Sequence, residues 1–373
     1  MSMSRRQACG LIAATMAGAR AAEADIVVGQ IGPFTVLPAP DASQLNQGLK
    51  AGFARINAHG GINGRRVGLF ELDDKYSGDG FAAAFAEALR RRPVALMSPV
   101  GSAALQRLLD ARLLDADEVV VLNAIPGAEA LRHPGHPMLF HVRAGDREQI
   151  ETAVINAHTL GITRLGVIYQ NIVMGSSGIA VAQQAAAKAG ALEISGVETS
   201  AEAARIAAAA AQVVKSGAQA ALAIGAPRFM ADCVTELRRA GMKEFIFLLS
   251  YAPAAMVAKV AGAAARGVAI AQTYPNPFGD ALPLQRDFHA AMKAAFPQVS
   301  GFTSFHLEGF ICAQVFAEAA RRTRDLDAPS LARSLHAMGE IDLGGFRVDF
   351  SRGNTGSRYV DIGVIDGSGH LIY

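Results

Sequence analysis

The pattern of apolar and polar residues along the chain changes repeatedly between two periods. Short and nearly continuous apolar runs predict buried parallel strands, and the segments between them carry apolar residues at helical spacing. The predicted strands are 26–31, 67–72, 94–98, 119–123, 165–169, 192–197, 220–224, 245–250 and 268–272. The predicted helices include 81–91, 147–160, 179–188, 201–215, 229–240 and 306–321. This alternation predicts an α/β fold of parallel sheets covered by helices on both faces.

The segment from Gln44 to Asp74 shows the alternation most clearly, as a helix, a glycine turn and a strand that ends in two acids. Its apolar residues at helical spacing are Leu45, Leu49, Phe53 and Ile56. The pair Gly60-Gly61 ends the helix, and Gly64 turns the chain into the next strand.

Together with the strand 26–31 and its Gly32-Pro33 exit, this segment resembles the opening of type I periplasmic solute-binding proteins. The closest group is the branch that binds branched-chain amino acids and serves ABC importers. The run N-A-H-G-G-I-N-G-R, from Asn57 to Arg65, is the most typical part. The resemblance implies two doubly wound parallel-sheet lobes joined by a three-strand hinge.

The length of 373 residues suits two domains of about 150 residues each. The resemblance assigns 25–142 and 275–340 to the N-terminal lobe, and 143–274 and 341–373 to the C-terminal lobe. The first crossing between lobes corresponds to Phe140–Asp146, the second to Thr273–Pro277 and the third to a stretch near Gly339–Gly345. Antiparallel strands are expected at the end of the chain, at 344–350, 359–365 and 371–373.

The N-terminus has the pattern of a secretory signal peptide over residues 1–24. Arg5 and Arg6 precede a short apolar segment, and small residues follow it. The alternative is a frayed helix of a cytosolic protein. The signal peptide predicts export to the periplasm. Its cleavage would remove three of the 35 basic and one of the 33 acidic residues, leaving 32 of each. A mature chain without net positive charge is not expected to bind nucleic acid.

Two cysteines would remain, Cys233 and Cys312, and we expect them to be unpaired because the resemblance places their helices in different lobes. No enzyme motif is present: the turn Gly29–Phe34 lacks the dinucleotide pattern, and no Walker A, G-x-S-x-G or H-E-x-x-H run occurs. His133 and His136 lie in a turn-like segment without a third ligand nearby. We therefore expect a binding protein without catalysis, cofactor or metal.

Ser102 and Gly101 open a helix after the strand 94–98, where a hydroxyl and free N–H groups make an anion site. The simpler reading is that the serine only caps the helix. The resemblance places Ser102 on the carboxylate of the ligand. In the next loop, amino-acid-binding relatives carry a threonine where Pro126 stands, and proline offers neither a hydroxyl nor an N–H group. This loop is predicted to line the site with Ala124, through its backbone N–H, Ile125 and Pro126.

In the second lobe, Asn171 and Met174 match the loop after its first strand, with Met174 in place of the usual aromatic residue. Met174 is either an adaptable ligand wall or a core methionine. The resemblance places Tyr251 where amino-acid binders carry an acid that pairs with the ligand's ammonium group. A buried ammonium without a partner is costly, so this change argues against a zwitterionic ligand.

Three more aromatic residues are candidates for the site. Tyr274 and Phe34 are expected to add apolar walls, and Tyr76 is a weaker candidate. The remaining acids near the cleft by motif position, Asp146 and Asp41, are interpreted as a helix start and a loop charge.

The sequence thus predicts a monomeric periplasmic receptor of an ABC importer, which presents its ligand to an inner-membrane permease. The expected ligand is a small carboxylate with an aromatic or aliphatic body and not a free amino acid. The alternative is a periplasmic sensing subunit for a membrane kinase or chemoreceptor. A cytosolic α/β enzyme is disfavoured by the export signal and the missing motifs.

Overall fold

The computed structural model describes residues 25–36, 40–116, 118–190 and 192–373, so the predicted signal peptide lies outside the described residues. The first lobe contains a parallel sheet in the order β2-β1-β3-β4-β5. Its strands are β1 (Ile26–Gly32), β2 (Val67–Asp73), β3 (Ala95–Met97), β4 (Val120–Leu122) and β5 (Leu139–Phe140). The four strands predicted for this sheet, β1 to β4, are thus present within about one residue of their expected ends, and β5 was not predicted.

The second lobe has a seven-stranded sheet. Its parallel part, in the order β10-β9-β8-β6-β7, consists of β6 (Arg164–Gln170), β7 (Glu193–Thr199), β8 (Ala220–Ile224), β9 (Ile246–Leu248) and β10 (Val268–Gln272). A separate ribbon is formed by β11 (Ile341–Asp342) and β12 (Arg347–Val348). The chain then adds β13 (Asp361–Ile365) and β14 (Leu371–Ile372) antiparallel to the edge at β10. The two-lobed α/β fold is confirmed.

Helices cover both sheets. Those of the first lobe are α1 (Pro40–Ala58), α2 (Gly78–Arg90), α3 (Ser102–Asp110), α4 (Glu129–Arg132), α10 (Pro283–Ala295), α11 (Ser304–Arg321) and α12 (Ala328–Ala337). Those of the second lobe are α5 (Asp146–Thr159), α6 (Val173–Ala189), α7 (Ala203–Lys215), α8 (Pro227–Arg239) and α9 (Ala254–Ala261). No helix among the described residues combines the length and apolar character needed to cross a membrane.

Helices α1 and α11 pack backbone against backbone on the first sheet. A Cβ atom at Gly48 would lie 2.0 Å from the carbonyl oxygen of His306, so only glycine allows this approach. The close packing fixes α11 against the sheet although α11 lies about 250 residues later in the chain than α1. The second lobe is inserted in the chain between α1 and α11, so the packing of these two helices fixes both ends of the insertion.

The third crossing lies later than predicted. The Asn354 side chain donates hydrogen bonds of 2.8 Å to the carbonyls of His136 and Leu139, and the N–H of His141 donates to the Asn354 carbonyl at 2.7 Å. Residues 341–356 thus stay with the first lobe, where they cover the edge of the two-residue strand β5, and only 361–372 join the second sheet. The predicted C-terminal lobe of 341–373 was therefore wrong for residues 341–356. The third crossing follows these residues and does not lie near Gly339–Gly345.

A buried charge network joins the two lobes at the first crossing. Arg143 and Glu308 are each 1% exposed and form an ion pair of 3.2 Å. The Asn123 amide donates to the other oxygen of Glu308 at 2.9 Å, and Arg143 also donates to the Ser250 hydroxyl of the second lobe. Burial raises the pKa of Glu308, and the Arg143 guanidinium opposes that shift. One guanidinium therefore connects α11 with the end of β9.

The two cysteines among the described residues are buried and unpaired, as predicted: Cys233 lies on α8 and Cys312 on α11. A disulfide between these helices would join the lobes and prevent their relative movement.

Replacing the acid of the network should destabilise the protein strongly. In Glu308→Ala the buried Arg143 loses its counter-charge, so we expect the free energy of unfolding to fall by about 3–5 kcal/mol in urea denaturation. Glu340→Ala is the control, because the Glu340–Arg347 pair is exposed and its loss should change stability by less than about 1 kcal/mol. Equal effects of the two substitutions would contradict a structural role for the buried pair.

Candidate ligand-binding cleft

A cleft of about 360 Å³ lies between the lobes, at the carboxyl ends of strands from both sheets. This is the position at which open α/β sheets bind ligands. Loops after β1, β2, β3 and β4 supply its first-lobe side, and loops after β6, β8 and β9 supply the other. The fold thus brings together chain segments that are distant in sequence.

The polar end of the cleft is the N-terminus of α3. Gly101 precedes the helix with φ of 100°, and a Cβ atom there would lie 3.0 Å from the Tyr76 ring, so a larger residue does not fit. Ser102 is the first helical residue, and its hydroxyl makes no hydrogen bond with the described residues. Ser102, Ala103 and Ala104 line the cleft, and N–H groups of a first helical turn have no acceptor within the helix. These donors suit an anion.

The remaining wall is largely apolar. It is built by aliphatic and proline side chains of both lobes: Val100, Ile125, Pro126, Leu131, Ile172, Val173, Met174, Ala226 and Pro227. A ligand that fills this space must bury apolar surface to gain binding free energy.

Tyr251 is held in place from behind the cleft. Its hydroxyl donates to Asp146 Oδ1 at 2.6 Å, and the Arg143 guanidinium lies 4.9 Å from its ring centre. Burial raises the pKa of Asp146 to about 6, while the hydrogen bond from Tyr251 opposes the shift. The Tyr251 hydroxyl thus already donates its proton to a hydrogen bond with Asp146, and Tyr251 lines the cleft as an uncharged side chain.

The chain matches the profile of periplasmic binding proteins over residues 25–369. The protein belongs to the periplasmic binding protein family. This confirms the resemblance seen in the N-terminal segment, and the match indicates no enzyme family.

Solved structures agree with this assignment. An extracellular ligand-binding receptor from Verminephrobacter eiseniae is 50% identical, with a TM-score of 0.90 over 94% of this chain and 100% of that one. A leucine-binding protein from Thermotoga maritima (16% identical, 93% of this chain and 97% of that one) and a fatty acid ABC transporter substrate-binding protein from Thermomonospora curvata (19%, 93% and 90%) both have a TM-score of 0.81. The last two show the fold alone. A comparison with curated proteins gave no match.

The structure of this periplasmic binding protein brings six of the ten predicted site residues to the cleft. They are Gly101, Ser102, Ile125, Pro126, Met174 and Tyr251. Ser102 does not act as the N-cap, because Gly101 occupies that position. All six follow strands at their carboxyl ends, which is why the topology alone predicts them.

Four predicted residues lie elsewhere. The Ala124 N–H donates to the Phe140 carbonyl at 3.3 Å and is therefore not available to a ligand. Tyr274 is buried behind the cleft, with its ring 5.1 Å from that of Phe346.

The other two residues hold loops. Asn171 donates its N–H to the Thr199 carbonyl at 3.0 Å, outside the cleft wall. The N–H of Phe34 donates to Asp73 at 2.9 Å, so that Asp73 shapes the exit of β1. In each case a hydrogen bond to a remote residue, which the local sequence does not show, decides the position.

Three polar residues of the cleft were missed or undervalued: Asp41, Tyr76 and Gln106. Asp41 was interpreted as a loop charge but belongs to the first turn of α1. Strand topology could have placed Asp41 and Tyr76 at the cleft, because they follow β1 and β2 at the sheet edge that carries Ser102. Among the described residues no group of three or more metal-ligating side chains occurs.

The raised pKa of Asp146 predicts a pH-dependent contribution to stability. The native state binds this proton more tightly than the unfolded chain, whose aspartate titrates near 3.8. Below that value both states are protonated, and the contribution of Asp146 falls as the pH rises to about 6. The stability of Asp146→Asn relative to wild type should therefore increase by roughly 2–3 kcal/mol between pH 4 and pH 7 in urea titrations.

The asparagine also changes the free energy of unfolding by an amount that is the same at every pH. This constant difference does not affect the test, because only the change of the difference with pH reports the titration of Asp146. A gap that stays flat between pH 4 and pH 7 would show that Asp146 does not carry a raised pKa in the native protein.

Proposed function

We propose that this protein is the periplasmic receptor of an ABC importer, and that its ligand is a carboxylate with an aromatic or aliphatic body and not a free α-amino acid. The observation that carries the ligand class is the state of Tyr251. Its hydroxyl is donated to Asp146, and the second-lobe side of the cleft presents no acidic side chain among the described residues. The position expected for an ammonium partner is thus filled by an aromatic residue.

The anion end is supplied by α3. Ser102 and the first-turn N–H groups support a carboxylate at this point, and the positive end of the helix dipole adds to the attraction. Pro126 lines the same cleft without a hydroxyl or an N–H group. The carboxylate is therefore bound from the α3 side.

The two solved relatives show how little the fold restricts the ligand. One is a leucine-binding protein and the other a fatty acid ABC transporter substrate-binding protein, and both have the same TM-score to this chain. The apolar wall and the missing second-lobe acid favour a ligand without an α-ammonium group. Such a ligand would be enclosed by closure of the lobes about their crossings, and the closed monomer would dock on an inner-membrane permease. Export by the signal peptide 1–24 is part of this proposal, and no cofactor is needed.

Calorimetry on the mature chain tests the ligand class. Leucine, isoleucine, valine and phenylalanine are titrated beside their 2-oxo analogues and a set of aromatic carboxylates. We expect micromolar binding among the carboxylates and none among the α-amino acids, because the second-lobe side of the cleft presents no acidic side chain, and an α-ammonium group enclosed there without a partner loses several kcal/mol. Micromolar binding of an α-amino acid while the analogues stay silent would overturn the proposal.

The Ser102→Ala variant identifies the carboxylate site in the same titrations. We expect weaker binding by about 1.5–3 kcal/mol, the range for a hydrogen bond to a charged group. Ser176→Ala is a matched control, because Ser176 lies on α6 outside the cleft wall.

A further inference from the structure

We infer that Tyr76 selects ligands whose body is a flat aromatic ring, which stacks on the tyrosine while the carboxylate binds at the N-terminus of α3. This inference rests on the proposed function and deepens it, since that function alone does not distinguish aromatic from aliphatic bodies. It makes Tyr76, which the sequence marks only as a weaker candidate, the residue that determines the preference.

Two aromatic side chains line the cleft among the described residues, Tyr76 and Tyr251. Tyr251 is only 7% exposed, with its hydroxyl on Asp146 and the Arg143 guanidinium over its ring. Tyr76 is 53% exposed, and its hydroxyl forms no hydrogen bond with the described part of the chain. The ring of Tyr76 is therefore the aromatic surface that the open cleft offers to a ligand.

The backbone holds this exposed ring in a defined place. Lys75 and Tyr76 have φ angles of 53° and 56°, in the left-handed region where bulky residues are rare. Their N–H groups donate to Asp73 Oδ1 at 3.3 Å and to Asp74 Oδ1 at 2.8 Å, which stabilises this conformation. Ser77 follows directly as the N-cap of α2. The chain thus adopts an unfavourable conformation to present a ring that little else contacts, which points to a role in binding.

The Tyr76 ring lies next to the proposed carboxylate site. A Cβ atom at Gly101 would lie 3.0 Å from Cε2 and 3.4 Å from Cδ2 of Tyr76, so the ring covers this glycine. Ser102 is the next residue, and consecutive Cα atoms are about 3.8 Å apart. A carboxylate bound at the first turn of α3 therefore places the group attached to it beside the Tyr76 ring.

The second lobe adds apolar side chains to the same space. Ile172 and Val173, at the start of α6, are exposed and line the cleft, so closure of the lobes on a ring beside Tyr76 would cover them. A ring stacked on tyrosine gains attraction beyond the area that it buries. A saturated body of the same size gains the area contribution alone. The cleft should therefore prefer aromatic carboxylates to their saturated counterparts.

Calorimetry on the mature chain tests this inference with two matched pairs of acids. Benzoate is compared with cyclohexanecarboxylate, and phenylacetate with cyclohexylacetate, so that each pair differs only in the aromaticity of one six-membered ring. For the wild type we expect the aromatic member of at least one pair to bind roughly two- to tenfold more tightly. In Tyr76→Leu this preference should disappear, because leucine offers apolar area without a ring face, whereas Tyr76→Phe should keep it.

Tyr76→Asn is a second variant without the ring, and asparagine adopts the left-handed conformation readily. Phe245→Leu is the matched control and should leave the preference intact, because Phe245 is exposed at the amino end of β9, away from the cleft. Thermal melting of each variant shows that it folds.

Three results would contradict the inference. Equal binding within both pairs by the wild type, or a preference that persists in the variants without the ring, would overturn it and leave the proposed function standing. Silence of all four acids while a 2-oxo acid binds would also overturn the inference alone. If all four acids and the 2-oxo acids are silent while an α-amino acid binds, the proposed ligand class fails and the inference fails with it.

Discussion

The ion pair between Arg143 and Glu308 is the constraint on which the arrangement of the two lobes depends. Both side chains are almost completely inaccessible, so neither charge can be satisfied by water. Arg143 lies on the first crossing and also contacts Ser250 of the second lobe. Because one guanidinium has partners in both lobes, the relative position of the sheets is defined where the chain passes between them.

The character of the cleft follows from this arrangement. The guanidinium of Arg143 lies over the Tyr251 ring, and Asp146, at the start of α5, accepts the Tyr251 hydroxyl. The polar groups of the crossing are thus directed at one another, and an aromatic ring remains on the cleft side. The polar groups left for the ligand are the N-terminus of α3 with Ser102 and the side chains of Asp41, Tyr76 and Gln106.

The sequence predicts the fold well because the relevant signals are local. Continuous apolar runs such as 220–224 lie in a fully buried strand with the same bounds. The cleft residues that follow strands, such as Ser102 and Met174, are also predictable, since parallel topology places strand ends together. Ala124 and Tyr274 fail for a different reason. Their positions depend on Phe140 and Phe346, which belong to other segments of the chain.

The third crossing and Asp41 illustrate the same limit. The hydrogen bonds of Asn354 to the edge of β5 keep the chain with the first lobe beyond residue 350, and no local pattern encodes that contact. Asp41 looks like a solvated charge until α1 is seen to begin at the cleft. The sequence therefore predicts the side chains of a site only where the strand topology alone determines the positions of those residues.

The most direct measurement is native mass spectrometry of the protein isolated from its periplasm without denaturation, followed by release and fragmentation of the retained small molecule. The account predicts a carboxylic acid with an aromatic or aliphatic body and without an α-amino group. Release of leucine, isoleucine, valine or phenylalanine in stoichiometric amount would contradict it.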